Sequence, residues 1–257
     1  IARGGVFRSC TVHFISENAT WLTPLIFWLP HIVLFIALVV LAGRFWCAWV
    51  CPLGAITDFM TWLRKSVGLP AVTCSRNLNN FLGHVRNFLL FGAIVISVLI
   101  AFPILGRTGV NDALFLIYCQ FCPARLIYPP LGGVMPCWYD ATSHLTMFIS
   151  VLGWIFMGIF FVSFAIPRFW CRICAIGALV AFFNRGALLT LEKNHQKCTS
   201  CGACERCCPM DVERVFRERE KRLVTDARCI LCLTCVEKCP EPNCLEVKLA
   251  GCRVVKS

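Results

Sequence analysis

Eight cysteines fall into two runs of identical spacing. Cys198, Cys201, Cys204 and Cys208 precede Pro209, and Cys229, Cys232, Cys235 and Cys239 precede Pro240. Each run reads Cys-x2-Cys-x2-Cys-x3-Cys-Pro. Three thiolates two residues apart let a tight loop wrap three corners of an iron–sulfur cube, and in paired runs the fourth thiolate reaches the other run's cube. The spacing therefore assigns one [4Fe–4S] cube to Cys198, Cys201, Cys204 and Cys239, and a second to Cys229, Cys232, Cys235 and Cys208. Zinc sites usually mix cysteine pairs with histidine and do not repeat a four-cysteine run that ends in proline.

A second pattern lies upstream. Gly43 to Ile56 reads GRFWCAWVCPLGAI and Pro167 to Leu179 reads PRFWCRICAIGAL. Both carry Arg-Phe-Trp-Cys, a second cysteine and then Gly-Ala. The first frame spaces Cys47-x3-Cys51 before Pro52. The second spaces Cys171-x2-Cys174 before Ala175, one residue shorter and without the proline. Internal repeats in membrane proteins commonly build one site between the halves. Four thiols at matching depths are the ligand set of a third [4Fe–4S] cube, held by Cys47, Cys51, Cys171 and Cys174. Arg44, Arg168 and Arg172 beside them either neutralise a buried anion or snorkel to phosphates. Cys119 and Cys122, followed by Pro123, with Cys137 and Cys10, form a further set. It reads either as a fourth cube or as disulfides on an oxidising side. Cys74, Cys207, Cys244 and Cys252 read as free thiols.

The elements that must position these thiols are greasy. Mean hydropathy is +0.71, and charged residues make up only 15% of the chain. Uncharged runs at Leu25–Ala42, Phe88–Leu105 and Leu145–Ile166 each have the length of a bilayer-crossing helix. Leu53–Leu63 and Ile176–Leu191 are too short or too polar to cross, and read as interfacial or re-entrant helices. Trp21, Trp28, Trp154 and Trp170 suit interfacial or lipid-facing positions. The formal net charge of +11 sits mostly beside the apolar runs, where the positive-inside rule accounts for it better than nucleic-acid binding does. Arg44, Arg64, Lys65, Arg76, Arg86, Arg168, Arg172, Arg185, Lys193 and Lys197 fall on one side, and Arg3, Arg8, Arg107 and Arg125 on the other. The expected fold is thus a mainly α membrane protein with about three transmembrane helices plus re-entrant or interfacial helices, and a C-terminal α+β bacterial-ferredoxin-like domain. The expected division is residues 1–190 for the membrane domain and 191–257 for the two-cube domain. Ile1 is not an initiator methionine, so an upstream segment is expected. His31 and His144 are conceivable haem or quinone contacts, but neither carries an assignment.

GRFWCAWVCPLGA, the second RFWC frame and the two C-terminal runs together resemble the NapH/NosR-type membrane polyferredoxins. The resemblance covers residues 21–67 and 145–240. It implies a multi-pass protein of the prokaryotic inner membrane, with its ferredoxin domain in the cytoplasm. Such a protein relays electrons between a quinone pool or cytosolic donor and partner redox subunits. It would be an electron-transfer subunit of an oxidoreductase complex rather than a catalyst. Maturation factors of haem–copper oxidases share similar motifs, so a redox protein serving metalloenzyme cofactor assembly is the alternative.

Overall fold

The computed structural model describes residues 25–70, 72–101, 121–131, 144–184 and 186–257. Helix α1 is Leu25–Ala42 and contains Pro30. A turn with Gly43 at φ +54° leads into α2, Phe45–Trp49. Helix α3 is Pro52–Ser66, with proline at its first position, where a missing N–H costs no intrahelical bond. Helix α4, Arg76–Ala101, starts twelve residues before the apolar run expected at Phe88. Its polar first turns are stabilised by packing, because α7 (Phe169–Ile173) and α8 (Ala175–Phe183) lie against it and bury Asn79 and Arg86. Between them come α5, Ala124–Leu131, and α6, His144–Phe161, which continues as a 3-10 turn to Phe164.

Among the described residues, one helical window, Met147–Phe164, is long and apolar enough to cross a bilayer, and Val33–Ala42 is a shorter apolar helix. Arg64 is buried and donates to the Phe164 and Ala165 carbonyls at 3.2 and 2.6 Å, so α3 caps the end of the α6 segment with a cation. Trp170, expected toward lipid, is instead buried at the centre of an apolar cluster with Phe160, Leu53 and Met157. Its ring meets Phe156 and Phe160 edge-on.

The helix expected over 176–191 ends at Phe183. Leu189–Lys193 is strand β1, within the strand-like run LLTLEK that the sequence places before the first cysteine loop, so the sheet of the C-terminal part begins before residue 191. Its intermediate-buried alternation fits a strand packed on one face (Leu191 and Lys193 in). Strand β2, Leu245–Leu249, pairs antiparallel with β1 in the register Leu191 to Val247, and with β3, Cys252–Lys256, across a bulge at Val247/Lys248. Short helices α9 (Ala203–Arg206), α10 (Arg214–Arg217) and α11 (Thr234–Glu237) complete this part. The charged segment 211–222 contributes α10.

Candidate iron–sulfur centres

The two C-terminal runs form matching loops. Ser200 and Gly202 in the first, and Leu231 and Leu233 in the second, take positive φ at equivalent positions. Backbone that alternates hand in this way turns successive N–H groups toward one point, a concavity that binds anions. For a leucine the left-handed state is strained, so the loops hold this shape against local preference. Cys198, Cys201, Cys204 and Cys239 line one void of about 340 Å³. Cys208, Cys229, Cys232 and Cys235 line another of about 440 Å³, walled by Leu191, Met210 and Val215. Each void thus takes three thiols from one run and the fourth from the other. Cys204 borders both. Among the described residues no three His, Cys, Asp or Glu groups converge on a point as a single metal ion requires; the thiols stand around a space instead. Soft thiolate donors spaced around an apolar hollow fit an iron–sulfur cube.

Burial pushes the Cys229 thiol up to about 12, opposed by the Leu231 N–H. Burial also raises Cys208, opposed by backbone N–H groups including that of Val212. Such thiols hold their protons in water and would release them to solvent as they bound iron. At Cys198 burial raises the thiol, but the Ser200 N–H and the Lys193 ammonium outweigh it and leave the group lowered. Lys193 escapes a reading by motif. It is buried, borders the first void, and donates to the carbonyls of Val215, Phe216 and Glu218. Cys244, expected to lack partners, lines the same void and is buried beside Cys198 and Cys239.

The Arg-Phe-Trp-Cys frames meet as a pseudo-symmetric pair. Cys47 lies on α2 and Cys171 on α7, while Cys51 and Cys174 are the N-cap residues of α3 and α8. The shorter second frame omits only the turn residue that Val50 supplies in the first, so both second cysteines reach a helix N-terminus, where a thiolate is favoured. The frames exchange arginines. Arg168 Nη1 donates to the Cys47 carbonyl at 2.9 Å, and Arg44 Nη2 donates to the Cys171 carbonyl at 3.2 Å. Both guanidinium groups are buried rather than snorkelling. Arg168 pairs with Asp58 and Arg172 with Asp211. The shared glycines are close-approach positions. A Cβ on Gly54 would lie 2.6 Å from the Cys47 carbonyl oxygen, and one on Gly177 would lie 3.3 Å from Arg44 Nη2. Cys171 interacts electrostatically with Cys47, Cys51 and Cys174, so the four thiols share one neighbourhood.

Cys122, expected on the opposite side of a bilayer from these thiols, is placed by the structure in the same apolar cluster as Cys51 and Cys174. Phe121 stacks on Phe156 at 6.0 Å and holds this segment against α6. Cys10, Cys119 and Cys137 lie outside the described residues, as does the His31 side chain, and His144 is exposed.

The 4Fe-4S binding domain family matches residues 20–70 and 146–191, the segments that hold the two frames, and the 4Fe-4S dicluster domain family matches residues 190–240. The ferredoxin-type protein NapH of Escherichia coli is 32% identical over 81% of this chain and 64% of the relative. An uncharacterized protein of Methanocaldococcus jannaschii is 25% identical over 82% of this chain and 75% of the relative. The methylamine utilization ferredoxin-type protein MauN of Methylobacillus flagellatus is 29% identical over 65% of this chain and 48% of the relative. The chain thus spans less than two thirds of the NapH and MauN proteins it matches. No solved structure matches it.

Proposed function

From the premise that the chain is a NapH-type polyferredoxin, a ferredoxin-type electron-transport protein carrying 4Fe–4S domains, we propose that it relays electrons through three centres in series. The order is the Cys198, Cys201, Cys204 and Cys239 set, then Cys208, Cys229, Cys232 and Cys235, then Cys47, Cys51, Cys171 and Cys174. Cubes bound at these thiols supply one-electron chemistry without proton or atom transfer. One observation carries the order: the first frame bonds to the loop of the middle set, Arg44 donating to the Ala227 and Arg228 carbonyls just before Cys229 and Trp49 to the Leu231 carbonyl just after it. The middle set therefore faces the paired frames, and the first set, with exposed Cys201, faces solvent.

The protein's own residues keep this path dry and fixed. Leu191, Met210, Val212 and Ile230 exclude water around the middle set. Trp49 Nε1 donates to the Leu231 carbonyl, and Arg172 donates to the Pro209 carbonyl, which follows ligand Cys208. Both bonds tie the α2 and α7 frames to the loops of the middle set.

The chain works in the prokaryotic inner membrane as an electron-transfer subunit between a quinone pool or soluble donor and a partner oxidoreductase, with the C-terminal part in the cytoplasm. The Met147–Phe164 window and the large apolar side chains exposed on α1, α4 and α6 support that placement. A fourth centre on Cys10, Cys119, Cys122 and Cys137 rests on spacing alone.

The test uses inner-membrane vesicles carrying the full-length protein, with duroquinol as reductant and the two C-terminal centres followed by electron paramagnetic resonance. The wild type is expected to reduce both centres. A Cys47→Ser, Cys171→Ser variant with both C-terminal cubes intact is expected to reduce them at least about tenfold more slowly. Equal rates would overturn the series.

A further inference from the structure

Arg44 stands where the two innermost thiol sets meet. It is fully buried, and its backbone N–H donates to Asn184 Oδ1 at 3.0 Å. The close approach requires Gly43, since a Cβ there would lie 2.4 Å from that oxygen. The guanidinium points away from this anchor. Nη2 takes the Cys171 carbonyl, and Nη1 takes the Ala227 and Arg228 carbonyls at 3.3 and 3.0 Å, immediately before ligand Cys229. Its charge opposes the effect of burial at both the Cys47 and the Cys229 thiols. Asn184 completes the junction by donating to the Asp226 and Cys229 carbonyls.

The charge balance is the second observation. Arg168 and Arg172 each have a carboxylate partner, but among the described residues none pairs with Arg44. Asp226, the acid in the adjoining loop, is paired with Arg228 at 3.5 Å. The Arg44 Nε is buried without a partner. A buried cation needs a nearby anion. The thiols of the paired frames and of the middle set lie beside Arg44, and the buried Arg86 adds a second positive charge to the same junction.

We infer that Arg44 is the shared counter-cation of two iron–sulfur centres, the one held by Cys47, Cys51, Cys171 and Cys174 and the one held by Cys208, Cys229, Cys232 and Cys235. One guanidinium then offsets negative charge on both sides of the junction. Each reduction adds one electron to an anionic centre, so a fixed positive charge raises both reduction potentials. Arg44 is a positioning residue by its carbonyl bonds and a tuning residue by its charge. This rests on the three-centre reading above.

The experiment is a potentiometric titration, followed by electron paramagnetic resonance, of the full-length protein isolated without air. Arg44→Gln removes the charge and Arg44→Lys keeps it. With Gln, both junction centres are expected to become harder to reduce by at least tenfold in the one-electron equilibrium, 59 mV, while the Cys198-set centre stays within that margin. With Lys, all three are expected to stay within it. Unmoved potentials in a Gln variant of full iron content overturn the inference, as does a Lys variant that shifts both junction centres by tenfold. Should the Gln variant lose iron, the Lys variant alone decides by the same criterion. Finding only two centres in the wild type would fail the three-centre reading instead, which keeps the two failures apart.

Discussion

Single residues decide whether each void closes around its thiols. The crossed arrangement makes Cys239 a partner of Cys198 although 41 positions separate them. Cys239→Ser and Cys198→Ser are therefore expected to remove the same paramagnetic signal, and Cys208→Ser to remove the other. A Cys239→Ser variant that loses the Cys229-set signal would contradict the crossing. Lys193 sets up a second expectation. Replacing its buried ammonium by Gln should lower the potential of the Cys198-set centre alone, read in the same titration. Gly54→Ala should drive a Cβ into the Cys47 backbone oxygen and cost about 1–3 kcal/mol, seen as a lower unfolding temperature. Gly177→Ala meets Arg44 Nη2 at 3.3 Å, a looser approach than that at Gly54, and should cost less. The grouping of the eight C-terminal thiols around two hollows was legible because their spacing is local. The arginine exchange was not, because Arg168 and Cys47 lie 121 positions apart and Arg44 and Cys171 lie 127 apart, and no spacing rule reaches so far. Trp170 was misjudged for a similar reason, since one aromatic in an apolar run does not reveal which neighbours will cover it.

At the scale of elements, helix ends do most of the positioning. Helix α8 stops at Asn184, and the side chain of that residue fastens the frame to the loop before Cys229. Asn184→Ala leaves the Asp226 and Cys229 carbonyls and the Arg44 N–H without this partner, at about 1–3 kcal/mol for each buried unsatisfied group. Limited proteolysis should then cut more readily between Phe183 and Leu189; unchanged protection would contradict the tie. The apolar run reads as a helix on to Leu191, while LLTLEK at its end reads as strand-like. The antiparallel pairing of Leu189–Lys193 with Leu245–Leu249 overrides the helical reading. Helix α3 behaves as its pattern suggests. It buries Leu53, Gly54, Thr57 and Arg64 and exposes Phe59 and Trp62, whose rings stack at 5.7 Å. A Phe59→Ser, Trp62→Ser pair is expected to weaken binding to lipid vesicles without loss of iron, measured by flotation.

Across the whole molecule, charge and grease are arranged around the thiols. The basic excess first attributed to a cytoplasmic face is partly internal: Arg44, Arg64, Arg86, Arg168 and Arg172 are buried. Of these, Arg44, Arg64, Arg168 and Arg172 donate to backbone carbonyls. A count of cations along a sequence cannot separate residues that face phosphates from those that cap helices and loops inside the protein. Outer ion pairs such as Lys248–Glu192 and Arg217–Glu213 are half-exposed and contribute little each. Stability rests instead on the apolar cluster that joins the frames to the C-terminal thiol loops, and the proposed electron path follows the same contacts. The direct measurement is iron and acid-labile sulfide per chain in protein isolated without air, with the centres counted by spin quantitation after full reduction. Three cubes, about twelve irons and twelve sulfides, is the predicted result. About eight irons, with the Cys47 and Cys171 frames carrying none, or zinc in place of iron, would contradict the account.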